Sequence, residues 1–405
     1  CKRGAKGTGK DPFGAAICNI EFLGPSQLWW DGIQWTGRRH TMPLIQIASN
    51  SQDQSKDMLR IANSQWGSEA KDKAAVHCVI VGFSTNHNNG KKQLFSSTDK
   101  LDLVDNINPY LLSGKTIFVE SVKTPICSVS PMYFGSKPTD GGYFFLTPEE
   151  KQEIVRREPQ SEKYIRKVLG AQEYINNVER YCLWLVGITP SELKSSPMIY
   201  ERVKKVREFR LASKAESTRK FADRPTEFKQ NAQPNKPYLI VPRVSSENRR
   251  YVPIGYIEPE VIATDATQII PNATLFEFGV ITSNVHMAWM RTVAGRLKSD
   301  YRYSSTIVYN TFPWPKITEE QKVYISKTAQ GILDARALES ESSLADLYND
   351  VIMPVELRKA HQANDIAVMK AYGMVKKVNG KDKLMSETET IAKLFEMYEE
   401  LTSKK

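Results

Sequence analysis

Apolar residues along this chain follow two patterns, one typical of strands and one typical of amphipathic helices. Residues 74–83 form a continuous apolar run, which is the pattern of a strand buried on both faces of a parallel sheet. Near the C-terminus, apolar residues recur at helical spacing on one face. That face carries Ile391, Leu394, Phe395, Tyr398 and Leu401. These patterns predict a mixed α/β protein with a helical C-terminal region.

Between residues 101 and 315 the pattern changes to short apolar runs separated by polar segments that contain proline or glycine, which predicts short strands mixed with helices. These strands are predicted at residues 115–120, 142–146, 181–186, 238–242, 251–256 and 275–281. A further strand is predicted at residues 43–48, in the N-terminal part of the chain.

Three helix starts carry a capping box, in which a threonine and an acid or amide three residues later bond each other's free backbone amides. The boxes begin at Thr147, Thr189 and Thr318, and proline occupies the first helical position in the first two. From residue 316 onward the sequence predicts only helices. These run to about residue 338, from 344 to 372 with a bend at Pro354, and then beyond a polar loop.

The segment 295–304 alternates bulky and charged residues with the two-residue period of a strand. Lys298, Asp300 and Arg302 would then project side by side from one face. Lysine and arginine donate hydrogen bonds to N7 and O6 of guanine, and aspartate accepts one from the N4 amine of cytosine. This face is therefore a candidate for reading a G·C pair. The alternative is a solvent-exposed sheet edge whose charges pair with each other.

The composition is that of a globular protein with an excess of positive charge. A length of 405 residues suggests two to four domains, and the net charge of +10 favours a polyanionic partner such as nucleic acid. No apolar run reaches the ~18 residues that span a bilayer. The five cysteines and five histidines lack ligand spacing, which predicts reduced cysteines, a cytoplasmic location and no metal site. Because the chain begins at Cys1 without methionine, we expect it to be a fragment.

A glycine-rich loop at the N-terminus fits the GxxxxGK pattern of a phosphate-binding loop, with Gly4, Gly9 and Lys10 at the defining positions. Asp11 stands where serine or threonine would hold magnesium. Together with the motifs at 10–13 and 46–54, residues 1–65 resemble the start of the ATPase domain of phage terminase large subunits. Those phage proteins pump DNA into capsids with ATP. Because no acidic metal-binding strand and no nuclease carboxylates follow the match, the resemblance suggests shared ancestry or a fusion more than activity, and nucleotide binding at the loop is the alternative.

The rest of the chain carries several longer motifs. Among them are Pro131-Met-Tyr-Phe-Gly135, Val206-Arg-Glu-Phe-Arg-Leu-Ala-Ser213, Ile269-Ile-Pro-Asn-Ala273, Tyr309-Asn-Thr-Phe-Pro-Trp-Pro315 and Pro354-Val-Glu-Leu-Arg-Lys-Ala-His361. Through them, residues 66–405 resemble the MmeI-like restriction–modification enzymes, which are adenine-N6 DNA methyltransferases, many fused to an endonuclease. The resemblance implies the end of a truncated methyltransferase core and a linker at 66–100, a mixed α/β target-recognition domain at 101–315, and an all-helical C-terminal domain at 316–405.

The resemblance also implies roles for particular residues in binding double-stranded DNA. Base-reading residues of the family correspond to Lys298, Asp300 and Arg302, and less directly to Arg243 and Asp265. A basic helix after Pro197 adds candidate phosphate contacts, for which the alternative is a solvated face. These contacts are Arg202 and Lys205, together with Arg249 and Arg250.

Methyltransferases of this family use a glycine-rich loop for S-adenosylmethionine and an Asn-Pro-Pro-aromatic motif for the flipped adenine. Neither motif occurs in this sequence. We therefore expect these residues to recognise DNA without binding the cofactor and without a catalytic residue of their own. The competing hypothesis is an active enzyme, either an S-adenosylmethionine-dependent methyltransferase or an ATP-driven packaging terminase.

Overall fold

In the computed structural model, four N-terminal strands at residues 26–30, 35–39, 45–48 and 80–83 are described by their backbone. Beyond them the structure describes residues 90–95, 101–297, 299–378 and 381–403. The chain divides into two compact units, Cys1–Gln93 and Leu94–Lys405.

The described residues of the first unit form two strand pairs. Strands β1 (Ser26–Trp30) and β2 (Trp35–Arg39) are antiparallel, and β3 (Ile45–Ala48) and β4 (Ile80–Phe83) are parallel. The parallel pair confirms the strands predicted at 43–48 and 74–83 over the residues that the structure describes. The loop with Gly4, Gly9 and Lys10 lies outside the described residues, so nucleotide binding there stays a prediction.

Short strands and helices alternate through the second unit. Its strands are β5 (Lys92–Phe95, across the boundary between the units), β6 (Leu101–Val104), β7 (Tyr133–Phe134), β8 (Phe145–Leu146), β9 (Ile165–Leu169), β10 (Tyr181–Leu183), β11 (Tyr238–Pro242), β12 (Val244–Ser245), β13 (Gly255–Ile257), β14 (Ile262–Ala263), β15 (Thr267–Pro271), β16 (Gly295–Leu297), β17 (Asp300–Arg302), β18 (Val375–Val378) and β19 (Lys381–Leu384). Its α-helices are α1 (Pro148–Arg157), α2 (Ala171–Asn176), α3 (Pro190–Lys194), α4 (Pro197–Leu211), α5 (Glu216–Lys220), α6 (Leu275–Ile281), α7 (Asn284–Val293), α8 (Glu319–Ala337), α9 (Leu344–Leu347), α10 (Val355–Ala371) and α11 (Glu387–Thr402).

Three small sheets organise the middle of the chain, in the orders β14-β9-β10-β8, β13-β11-β15-β7 and β12-β17-β16. Strand β11 is buried along its whole length and pairs antiparallel with both β13 and β15. Because β12 follows β11 after one residue, the third sheet continues directly from the buried second sheet. Strands β16 and β17 of this third sheet form an antiparallel hairpin.

The C-terminal helices pack on the same core. Helix α8 lies against α10 and α6, and its inward face buries Ile325, Ala329 and Ile332. At Gly279 of α6, a side-chain carbon would come within 2.8 Å of Ile325 and 3.0 Å of Ala329. Glycine therefore lets α6 and α8 approach closely. No helix among the described residues is long and apolar enough to cross a bilayer.

The structure confirms the predicted mixed α/β class and all three capping boxes, at α1, α3 and α8. The strand at 238–242 is confirmed as β11. The predicted helix bent at Pro354 is instead two helices, α9 and α10, and Pro354 caps the second. The polar loop before α11 contains the short antiparallel hairpin β18–β19, so the C-terminal region is not purely helical.

Several predicted strands are wrong or shorter. Residues 275–281 form helix α6, which starts at a capping box between Thr274 and Glu277. This helix is apolar on nearly all sides because it is buried, so its sequence has no helical period. Residues 115–120 form no strand, and those predicted at 142–146 and 181–186 are reduced to β8 and β10. The strand predicted at 251–256 is shifted to β13, which begins at Gly255 and ends at Ile257.

Candidate nucleic-acid interface

Strand β17 separates a charged outer face from an aromatic inner face. Asp300 is half-buried and Arg302 is exposed, whereas Tyr301 and Tyr303 between and after them are buried. The Tyr303 hydroxyl lies 2.7 Å from Nε2 of His286, inside the core. This alternation fixes the strand's register, because a shift of one residue would expose both tyrosines and bury both charges.

The predicted single strand at 295–304 is wrong, because the chain turns between Leu297 and Asp300 to form the hairpin β16–β17. Arg302 lies opposite Gly295, and Asp300 lies opposite Leu297. Arg296 closes the turn: its Nη1 donates to the Ser299 carbonyl at 2.7 Å, and its guanidinium lies 3.8 Å from the centre of the Tyr301 ring. Asp300 and Arg302 share one face as predicted, whereas Lys298 lies outside the described residues.

The structure brings Arg243 and Asp265 together beside this hairpin. The Arg243 carbonyl accepts a 2.8 Å hydrogen bond from the Tyr303 amide, and Nη1 of Arg243 donates to the Asp265 carbonyl at 2.7 Å. The Asp265 carboxylate lies 3.4 Å from Nζ of Lys137. Arg243 therefore contacts the residue that follows Arg302, and Asp265 is joined to it through the Arg243 side chain.

Arg249 and Arg250 lie in the loop between β12 and β13, which we call the arginine loop (residues 246–251). Arg249 is half-buried, and burial lowers its pKa while the carboxylate of Asp300 opposes that shift. Arg250 is exposed. The loop thus brings one arginine within electrostatic reach of the hairpin and presents a second one to solvent.

The C-terminal end of the arginine loop is anchored in the helical region. The Tyr251 ring stacks on His361 at 4.1 Å, and its hydroxyl donates to Oδ2 of Asp365 at 2.7 Å. Arg291 donates to the Arg250 carbonyl at 3.2 Å and makes two bonds to Glu387, at 2.9 and 3.0 Å. The helices α7, α10 and α11 therefore hold the loop in place.

Asp365 makes the stability of this anchor dependent on pH. Burial raises its pKa from 3.8 to about 6, although hydrogen bonds from Tyr251 and Asn284 and the charges of Arg250 and Arg291 oppose the shift. A raised folded-state pKa gives stability that is complete below about pH 4 and is lost as the pH rises through 6. The free energy of unfolding of the wild type should therefore fall by roughly 2–3 kcal/mol across that window. Asp365→Asn should abolish this fall, because asparagine does not titrate.

Urea unfolding at pH 4, 5, 6 and 7 measures this effect. Asp334→Asn, at an exposed position of α8, is the matched control and should keep the wild-type pH profile. A constant difference between wild type and Asp365→Asn at every pH would contradict the assigned titration.

The basic helix α4 divides into structural and exposed positions. Arg202 bonds the Glu150 carboxylate and the carbonyls of Tyr143 and Phe145, so its guanidinium is occupied within the fold. Arg210, which the sequence places on the same basic helix, is fully buried. Lys205 is exposed and stays a candidate phosphate contact.

Sequence reasoning missed two contributors to this surface. Phe134 is an exposed aromatic residue beside Arg243, and Arg296 shapes the turn of the hairpin. The motif around Phe134 was a usable signal, because an aromatic pair before glycine stands out in an otherwise polar stretch. Within the residues that the structure describes, no group of histidine, cysteine or acidic side chains could hold a metal ion.

Comparison with known proteins decides which family this arrangement belongs to. A family model described as "MmeI, target recognition domain" matches residues 113–316, and one described as "MmeI, C-terminal domain" matches residues 317–404. The chain belongs to the MmeI family. The hairpin and the arginine loop both lie in the part that matches the MmeI target recognition domain.

Two relatives are similar to this chain over most of its length. DNA methyltransferase A of Bacillus subtilis (strain 168) is 37% identical over 340 residues, which is 84% of this chain and 38% of the relative. A solved structure of the type IIL restriction-modification enzyme MmeI in complex with DNA is 42% identical, with a TM-score of 0.73, over 84% of this chain and 45% of that chain. The chain therefore spans less than half the length of either relative.

Proposed function

We propose that this chain recognises a specific sequence in double-stranded DNA as the target-recognition and C-terminal part of an adenine-N6 DNA methyltransferase of a restriction–modification system. The observation that carries the proposal is the outer face of β17. It presents an acceptor, Asp300, and a donor, Arg302, while the alternating tyrosines lock the strand into the core.

The chemistry of this face suits the major groove, which is wide enough for a two-stranded ribbon such as β16–β17. Arg302 and Arg243 can each donate two hydrogen bonds to a guanine, and Asp300 can accept one from a cytosine amine. Lys205, Arg249 and Arg250 supply contacts to phosphates, which fix the position of a protein on the duplex without reading its sequence. The DNA complex of the related MmeI enzyme supports a duplex as the partner.

The proposed methyl transfer belongs to the longer protein. S-adenosylmethionine is the methyl donor that relatives described as DNA methyltransferases imply. The residues present here carry neither the glycine-rich loop nor the Asn-Pro-Pro-aromatic motif, so they do not fit a cofactor site. Their proposed part in the reaction is to choose the DNA site and to hold the duplex beside the catalytic core.

Selection from a duplex library with a randomised central segment tests the proposal. We expect the 405-residue chain to enrich one defined motif. The single variants Asp300→Asn and Arg302→Lys should each lose base preference at one position of that motif, and the two positions should be neighbours. Binding that enriches no motif would overturn the proposal. Equal weakening for every sequence would show that this face contacts phosphates only.

The salt dependence of DNA binding should report the phosphate contacts separately. Each phosphate contact contributes about 0.9 to the slope of log affinity against log salt concentration. We therefore expect Arg249→Ala and Arg250→Ala each to lower that slope by about 1 and to spare the preferred motif.

Fluorescence anisotropy across a salt series measures the slopes. Arg156→Ala, in which the lost arginine is exposed on α1 and paired with Glu153, is the control and should leave the slope unchanged. A wild-type slope in both loop variants would show that the arginine loop does not contact DNA phosphates.

A further inference from the structure

An exposed phenylalanine ring lies beside the candidate reading residues. Phe134 ends β7, the edge strand of the second sheet, and 49% of the residue is exposed. The guanidinium of Arg243 lies 4.6 Å from the centre of its ring. A single exposed phenylalanine is not unusual, so the contact with Arg243 is what indicates a role for this ring.

Contacts to fixed groups restrain the Arg243 side chain. The central carbon of its guanidinium lies over the Phe134 ring, and Nη1 donates to the Asp265 carbonyl. Its backbone carbonyl accepts a hydrogen bond from the Tyr303 amide, which joins Arg243 to the residue that follows β17. The bond to Asp265 uses one of the five N–H donors of arginine, so the others are available to a ligand.

The ring itself is held at a defined place relative to Arg302. Phe134 lies opposite Gln268 of β15, and the buried Gln268 side chain donates from Nε2 to the Tyr303 carbonyl at 2.8 Å. The hydrogen bond that joins β15 to the chain after β17 is therefore made by the residue that directly follows Arg302. The backbone of Phe134, the Gln268 side chain and the Arg243 backbone are therefore all connected to Tyr303, which follows Arg302.

We propose that Phe134 is a positioning residue that orients Arg243 for bidentate contact with a guanine. The inference rests on the proposed DNA recognition and deepens it. Arginine stacks on an aromatic face while its donors stay free in the guanidinium plane. A guanidinium that is held in one plane loses less conformational freedom when it forms two parallel hydrogen bonds to O6 and N7.

The proposal distinguishes the ring from a direct DNA contact. If Phe134 acts through Arg243, its loss weakens preference at the same base pair that Arg243 reads. If the ring instead packs on the duplex, its loss weakens binding to every sequence. These two results differ even when the identity of the base pair is unknown beforehand.

Selection with the randomised duplex library, followed by affinity measurements on all single-pair variants of the enriched site, tests the inference. The variants are Arg243→Ala, Phe134→Leu and Phe134→Tyr. The control is Phe118→Leu, which replaces another exposed phenylalanine. We expect Phe134→Leu to lower selectivity about two- to fivefold at the pair lost in Arg243→Ala, whereas Phe134→Tyr and Phe118→Leu retain it. Thermal unfolding midpoints should be unchanged in all three phenylalanine variants.

Three results would overturn the inference. They are full selectivity at the Arg243 pair in Phe134→Leu, equal loss of affinity for all duplexes in that variant, and failure of Phe134→Tyr to restore selectivity. Each of these leaves the proposed DNA recognition intact, because wild type still enriches a motif. Failure of wild type to enrich any motif would instead defeat the proposed function itself.

Discussion

Arg302→Lys is expected to lower the free-energy difference between the preferred base pair and the others at one position by about 1–3 kcal/mol. This is the discrimination that one bidentate contact supplies. Lysine keeps the positive charge and can also donate to guanine, but it lacks the rigid planar fork with which arginine makes two parallel hydrogen bonds at once. Affinity for unrelated duplex DNA should therefore change much less than affinity for the selected site. Anisotropy titrations with the selected duplex and with its single-pair variants measure both quantities.

The control for this prediction is Arg156→Lys, which makes the same change on an exposed arginine of α1. We expect the control to retain wild-type selectivity at every position. Equal loss on specific and unrelated DNA in Arg302→Lys would place this arginine on the phosphate backbone and contradict the reading role.

Arg210→Leu is expected to destabilise the protein by about 3–5 kcal/mol, because it removes a buried charge whose partners stay in place. The guanidinium donates to the carbonyls of Pro138, Thr139, Phe221, Arg224 and Glu227. It also interacts electrostatically with the buried carboxylate of Asp140. Leucine would remove these hydrogen bonds from the carbonyls of Thr139 and Glu227, whereas the carbonyls of Pro138, Phe221 and Arg224 each keep a backbone N–H donor.

Arg207→Leu is the matched control, because it changes an exposed arginine one turn earlier on the same helix. Urea unfolding followed by circular dichroism should place this control within about 0.5 kcal/mol of wild type. A similar stability for both variants would show that the five carbonyls find other partners, and it would contradict the bracing role of Arg210.

Local signals in the sequence predicted the helix starts because the capping boxes act within four residues. Thr147, Thr189 and Thr318 each bond the residue three positions later, and no distant contact can change that geometry. The same box between Thr274 and Glu277 begins α6, but residues 275–281 were predicted as a strand because the apolar run that follows the box has no helical period. Burial on all sides removed the pattern that normally separates a helix from a strand.

The fates of the arginines depended on contacts that are distant in sequence. Arg202 and Arg207 are indistinguishable by spacing, yet Arg202 bonds residues 52 to 59 positions away, whereas Arg207 is exposed. The reversal of the chain between Leu297 and Asp300 was also invisible to a two-residue period. Arg296 lies opposite Tyr301 on the inner face, although a single strand would place it on the same face as Asp300. Only the pairing of Leu297 with Asp300 shows where the chain reverses.

The central claim is that the outer face of β17 contacts base edges in the major groove, and a protein–DNA double-mutant cycle tests it most directly. Each purine of the selected site is replaced in turn by its 7-deaza analogue, which lacks the N7 acceptor, and affinities are measured for wild type and Arg302→Ala. We predict that one substitution weakens wild type by about 1–3 kcal/mol and has little further effect on the variant. Additive losses at every purine would mean that Arg302 donates to no purine N7, which contradicts the bidentate contact with guanine.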